Sequence, residues 1–165
     1  MEQIKVIRPR NYLYELLVII NGLILIGIWW IFLQSARKAT LAGCLSYLFL
    51  AWCLRFIFQK YHMNGMKFMR AKNFSDAAAA FQQSHNFFEK HPSIDKYRFI
   101  TMFSTSAIPY RQMALNNLGI CYLHMGEDAK ALDAFKKLAE LNSNYPYITK
   151  TIEEIEKHID EVARL

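Results

Sequence analysis

Residues 114–145 read ALNNLGICYLHMGEDAKALDAFKKLAELNSNY, and the order of large and small side chains in this stretch decides the fold. Leu115 and the pair Leu118-Gly119 open a helical pattern, Tyr122 follows three residues later, and Gly126 stands where that pattern stops. Ala131 and Phe135 then repeat the apolar spacing on a second helix. The spacing has a physical cause. Small Gly119 and Ala131 let two helices approach closely, Tyr122 and Phe135 fill the volume between neighbouring pairs, and Gly126 ends the first helix in a conformation suited to a residue without a side chain.

These positions resemble the tetratricopeptide repeat (TPR), a unit of two antiparallel helices, over almost its whole length. Leu138-Ala139 reverses the small-then-large order usual in that repeat, and Ser143 stands where a proline is usual. Upstream, residues 61–92 begin YHMNGMKFMRAKNFSDAAAAFQQS and place Tyr61, Gly65, Phe68, Phe74, Ala77, Phe81 and Ser84 on the same offsets. This second unit is degenerate: Lys72 occupies the turn position and Asn64 a position where leucine is expected. From Gly65 to Gly119 is 54 residues, longer than the roughly 34-residue period of the repeat, so an insertion is expected at 92–109, bounded by Pro92 and Pro109.

Within the insertion, Tyr97, Ile100 and Phe103 stand at helical spacing and predict a short extra helix over 94–104. Beyond the repeats, Ile148, Ile152, Ile155, Ile159 and Val162 lie on one face of a helix over 147–163. Its other face is acidic through Glu153, Glu154, Glu156 and Asp160, which suits a helix that caps the end of a solenoid. No alternating strand pattern occurs beyond Phe58, so residues 59–165 are expected to form an all-α, TPR-like α-solenoid domain with repeats at 61–92 and 112–145.

Residues 1–58 are different in kind. Between residues 11 and 58 the only charged groups are Glu15, Arg37, Lys38 and Arg55. The apolar run 13–33 would be about 31 Å long as a helix, close to the thickness of a bilayer core, and the run 41–58 about 27 Å. Arg55 can snorkel and Tyr61 can lie at headgroup level to extend the shorter run. A connector over 34–40 makes the two spans antiparallel, so a two-span transmembrane hairpin is expected. Tyr12 and Tyr14 at one end of the first run, with Trp29, Trp30 and Phe32 at the other, match interfacial aromatic anchors. A cleaved signal peptide fits less well, because signal cores run about 7–15 residues and no small-residue cleavage site follows.

Lys5, Arg8 and Arg10 precede the first span and Arg55, Lys60, Lys67, Arg70 and Lys72 surround the end of the second, against Arg37 and Lys38 in the connector. This asymmetry predicts a multi-pass protein of the cell membrane with both termini in the cytoplasm. Glu15 is expected at the interface, and Asn21 would favour a protein neighbour if it faced one. No proline interrupts 41–63 and its one glycine, Gly43, stands near the start, so the second span is expected to run directly into the first repeat helix.

Composition restricts function. The chain has 165 residues, 53% hydrophobic and 15% aromatic, too apolar for a simple soluble globule and too poor in Gly and Pro for low-complexity disorder. Its net charge of +6 needs no nucleic acid, since residues 1–58 hold six basic and two acidic groups and no basic patch with stacking aromatics is visible. Cys44, Cys53 and Cys121 form no framework spacing, and His62, His85, His91, His124 and His158 no ligand motif, so no metal and no cofactor is expected. Nor do paired carboxylates, a nucleophile elbow or a phosphate-binding loop occur, and an enzyme is not expected.

The resemblance implies a protein-binding module whose concave surface comes from the first helix of each pair. By offset that surface would present His62, Met66, Met69, Arg70, Met113, Asn116, Ile120, Leu123 and His124, a groove in which adaptable methionines receive a partner peptide or helix. The alternative is that this stripe is covered by the insertion or by a neighbouring chain, a second copy included. The carboxylate clamp of chaperone-binding TPR domains is not reproduced; Asn117 alone matches it. Gly65, Phe68, Ala77, Phe81, Leu118, Gly119, Tyr122, Gly126, Ala131 and Phe135 are expected to be structural. The layout resembles small bacterial membrane TPR proteins, which implies a scaffold recruiting a partner at the cytoplasmic face beside membrane lipid. An accessory subunit of a larger membrane complex and an inhibitory or immunity-type binding protein are the other readings.

Overall fold

The computed structural model describes residues 10–145 and 147–164, so Lys5 and Arg8 of the charge asymmetry lie outside the described residues. Nine helices and no strand occur among them. The helices divide into two compact units, discontinuous in sequence.

One unit is built on α1 (Tyr12–Leu33) and α2 (Ala36–Phe58). Asn11 caps α1, its side-chain oxygen accepting from the amides of Leu13 at 3.0 Å and Tyr14 at 3.4 Å. The connector is shorter than the expected 34–40: Gln34 turns left-handed at φ 46°, Ser35 is extended, and Ala36–Thr40 are already helical. The apolar run marks where a span could lie, not where its hydrogen-bonded helix starts. Ala39, Gly43 and Ala51, four and eight residues apart on one face, are the buried positions of α2, and their small size brings α2 against α1. A Cβ on Gly43 would stand 2.6 Å from Ile26 Cγ1 and 2.8 Å from Ile26 Cα, so the backbones meet there and only glycine fits. Trp29 Nε1 donates to Ser46 Oγ at 2.9 Å across the same interface. No residue of α1 is buried, and Leu13, Leu16, Ile19, Leu23 and Ile24 are all exposed. By length and composition both helices can cross a membrane.

The insertion belongs to this unit, not to the solenoid in which the sequence places it. Instead of one helix over 94–104 it forms two short ones, α5 (Pro92–Lys96) and α6 (Arg98–Thr101), broken at Tyr97. The helical spacing of Tyr97, Ile100 and Phe103 does not describe one buried face: Phe103 is buried with φ 47°, while Tyr97 and Ile100 are exposed. The segment packs on the hairpin through Phe99 against the Tyr14 ring, 5.3 Å between centroids, and Phe103 against Tyr47 at 4.8 Å.

The other unit contains α3 (Lys60–Arg70) from Tyr61 onward, α4 (Phe74–Lys90), α7 (Tyr110–His124), α8 (Asp128–Leu141) and α9 (Ile148–Ala163). The expected unbroken helix through 41–63 is interrupted at one residue, Gln59, whose φ of −104° and ψ of 4° leave helical geometry. The capping helix is present as α9, packed on α8 with Ile148, Thr151 and Ile155 buried. Val162 is exposed, so the apolar face ends before the helix does. Lys136 of α8 pairs with Glu156 of α9 at 2.7 Å.

Candidate partner-binding surface

Two matching glycine–phenylalanine contacts organise the solenoid unit. A Cβ on Gly65 would lie 2.7 Å from the Phe81 ring, and one on Gly119 would lie 2.6 Å from the Phe135 ring, so in each pair the second helix presses a phenyl ring onto bare backbone of the first. Phe81 and Phe135 are fully buried, as are Ala77 and Ala131. Phe81 and Ala77 join Met66, Ala78, Leu118, Cys121 and Ala134 in one core cluster, with Phe68, Met69 and Tyr122 packed against it. Burial pushes the Cys121 thiol up to about 12. The turn positions also correspond. Lys72 and Gly126 both have positive φ, 58° and 71°, and each donates its amide three residues back, to Met69 and Leu123. The next residues, Asn73 and Glu127, donate five back, to Phe68 and Tyr122, completing the same helix-ending motif twice.

The nine positions expected to line a groove are dispersed by this packing. His62, Met66, Met113, Asn116 and Ile120 are buried. Met66 is a member of the core cluster, and Asn117 Nδ2 donates to its sulfur at 3.6 Å. His62 meets Phe81 and Tyr110 edge to face, with centroids 5.5 and 5.2 Å apart. Met69 and Leu123 are half-buried, and only Arg70 and His124 are exposed. The His124 ring is itself stacked on Phe74, 4.2 Å between centroids. A methionine-lined groove is therefore not an open surface here. Offset within a repeat assigns a residue to a helix face, but whether that face is open depends on what packs against it.

An open concavity exists elsewhere. A cleft of about 570 Å³ lies between α4 and α8 with α7 as its floor, lined by His85 and Glu89, by Arg111 and Tyr122, and by Lys137 and Glu140, among others. Arg111 pairs with Glu89 at 2.6 Å, and His85 Nε2 lies 3.9 Å from the same carboxylate. Burial holds the His85 imidazole below its ordinary pKa, opposed by its contact with the Arg111 carbonyl at 3.5 Å and by Glu89. Lys137 pairs with Asp133 at 2.7 Å, which with its hydrogen bond holds the ammonium charged. The cleft thus presents charges of both signs over an apolar floor of Leu115 and Leu118. The sequence carries no motif for it, because its residues come from three helices and meet only after the pairs have stacked. No group of three or more His, Cys, Asp or Glu is placed to hold a metal ion among the described residues.

A chain of paired antiparallel helices with duplicated glycine–phenylalanine contacts belongs to the class of helical-repeat proteins. Comparison with known families places a tetratricopeptide repeat at residues 112–145, so this segment, α7 with α8 and the turn after it, is a TPR. No curated protein and no solved structure matches the chain. Tetratricopeptide repeats are generally sites of protein–protein interaction.

Proposed function

We propose that the chain is a membrane-anchored TPR module that recruits or scaffolds a protein partner at the cytoplasmic face of the membrane. One observation carries the reading: a chain with a TPR at 112–145 also holds a helical hairpin whose apolar side chains point outward along its length. Exposed Leu, Ile, Phe and Trp on both faces of two helices have a low-energy home in lipid and a costly one in water. Asn21, which would favour a larger membrane complex if it faced a partner, donates instead to the Phe99 carbonyl of its own chain at 3.4 Å. The partner segment sits in the α4–α8 cleft, with its charges paired across Glu89, Arg111, Lys137 and Glu140, and no catalysis is involved.

A topology reporter and a photocrosslinker test this together. A reporter fused after Leu165 should be active only in its cytoplasmic form, and one placed in the Gln34–Ser35 turn only in its exported form; the opposite pattern overturns the orientation and the partner's compartment. A photoreactive residue at exposed Asn86 in the cleft should capture one protein in native membranes, identified by mass spectrometry. Capture from Met69 and not from Asn86 would return the partner to the Met69, Arg70, Leu123 and His124 surface.

A further inference from the structure

The insertion, Pro92–Ile108, is helical only over its two short helices, and carbonyls along its length, those of the irregular stretch after Thr101 above all, have donors from within the hairpin unit. Arg98, a buried arginine, reaches three: Nη1 donates to Asp95 O at 2.8 Å, Nε to Ser106 O at 2.8 Å and Nη2 to Ala107 O at 2.9 Å. Arg55 of α2 reaches two more, Met102 O at 3.3 Å and Phe103 O at 3.1 Å. Thr101 Oγ1 donates to Ile94 O, Ser106 Oγ to Ile108 O, Asn21 Nδ2 to Phe99 O and the Asn11 amide to Thr105 O. A loop in water leaves such carbonyls to solvent at little cost. Inside a bilayer, non-helical backbone survives only when protein satisfies its polar groups.

Depth supports the same conclusion. The segment runs alongside α1 from Ser106, bridged to Arg10, and Thr105, bonded to Asn11, down to Phe99, bonded to Asn21. Asn21 is nine residues past Tyr12, the first residue of α1, or about 14 Å along its axis, which is nearly half of a bilayer core of about 30 Å. Tyr97 and Ile100, two residues before and one after Phe99, are exposed, 47% and 51%. The one exposed charge between 94 and 101, Lys96, lies 5.4 Å over the Tyr97 ring and has a flexible stem long enough to reach headgroups.

We propose that Pro92–Ile108 is a membrane-embedded, re-entrant segment that enters the same leaflet as the first turns of α1 and places Tyr97 and Ile100 against lipid acyl chains. The proposal rests on the membrane reading of the hairpin. It makes Arg98 and Arg55 positioning residues that substitute for water around irregular backbone, and it gives Asn21 the task of holding the deepest point of the segment.

Spin-label accessibility in vesicles of mixed zwitterionic and anionic phospholipid tests it on the full chain. Cys44 and Cys53 are replaced by Ser; Cys121 stays, since it is fully buried and out of reach of the label. Labels are introduced by Ile100→Cys, Tyr97→Cys, Leu45→Cys on the hairpin and Lys157→Cys on α9. The expected result is that labels at 97, 100 and 45 relax with oxygen and not with a water-soluble nickel chelate, while the label at 157 does the reverse. A label at 45 in lipid with labels at 97 and 100 in water overturns the re-entrant segment and leaves the hairpin reading standing. Labels at 45, 97 and 100 all in water overturn both. A second arm reads the polar network: Arg98→Lys, which keeps the charge but not the fork of donors, should raise chelate accessibility at 100 several-fold, and an unchanged value would remove the role assigned to Arg98.

Discussion

The two helix pairs, α3–α4 and α7–α8, correspond position by position in sequence, yet only the second matches the tetratricopeptide family. In both, a glycine on the first helix lies under a buried phenylalanine of the second, and both first helices end in the same left-handed turn with the same two hydrogen bonds. They differ at the residue in that turn: Gly126 in the second pair, Lys72 in the first. The difference separates two kinds of constraint. A Cβ at Gly65 or Gly119 meets a ring and has nowhere to go, whereas one at the turn position, as at Gly126, would meet nothing within 4 Å and costs only conformational energy. Packing identities were kept in the degenerate pair and turn identities were not, because the first kind of change breaks the core and the second only taxes it.

Removing the ring should have the largest effect on this equivalence. Phe135→Ala and Phe81→Ala each empty a fully buried site and should each cost about 3–5 kcal/mol. Urea unfolding of the full chain in detergent, followed by circular dichroism, measures both. A loss at Phe81 far below that at Phe135 would mean that the first pair is not a working repeat. Adding a methyl comes next: Gly65→Ala and Gly119→Ala push a Cβ to within 2.7 and 2.6 Å of the two rings, and each should cost about 1–3 kcal/mol of overpacking.

The turn contrast is smaller and opposite in sign between the pairs. Gly126→Ala should destabilise by about 1 kcal/mol, because an alanine resists the positive φ. Lys72→Gly should stabilise by about 0.5 kcal/mol, the strain relieved being partly offset by the flexibility of glycine in the unfolded chain. Shifts of opposite sign in the unfolding midpoint, the larger at Gly126, would show that the two turns carry the same constraint.

The smallest effect belongs to the first pair alone. Burial depresses the folded-state pKa of His85 below its ordinary 6.5, with Glu89, Arg111 and Lys137 the charged groups around it. The unfolded chain therefore binds the proton more readily, and the stability that a neutral His85 contributes is present above pH 6.5 and lost as pH falls through the folded value. The equivalent position in the second pair is Ala139, which cannot titrate. Between pH 7 and about 5, the stability difference between the parent chain and His85→Asn should narrow; a difference independent of pH would refute the assignment.

Much of this was legible in the sequence, for reasons visible residue by residue. Gly119, Tyr122, Ala131 and Phe135 encode contacts between neighbours less than twenty residues apart, and such contacts fix the identities that a reader sees. The hairpin was equally plain, since exclusion of charge over two long runs needs no partner to interpret. The insertion was misplaced because Tyr97, Ile100 and Phe103 share a helical spacing without sharing a helix. What holds that segment is backbone carbonyls received by Arg55, Arg98 and Asn21, and a carbonyl leaves no trace in a residue name. The burial of Met66 and Met113 was hidden on the same ground: offset within a repeat assigns them to a helix face, and nothing local reveals what covers it. The α4–α8 cleft could not be seen at all, because Glu89 and Arg111 are drawn together from different helices across 22 residues.

Order of synthesis gives the insertion a further meaning. Asn21 and the Phe99 carbonyl it serves are 78 residues apart, and Arg55 precedes its two acceptors by 47 and 48. At about 5–20 residues per second, the ribosome takes roughly 4–16 s to deliver Phe99 after Asn21 has been made. For that interval the hairpin exists without the segment that receives its polar groups, while the whole first helix pair emerges between them. Assembly of the hairpin unit therefore finishes only after half of the solenoid has been translated, so a chain that stops short of Ile108 would leave an arginine and an asparagine without the acceptors that the complete unit supplies.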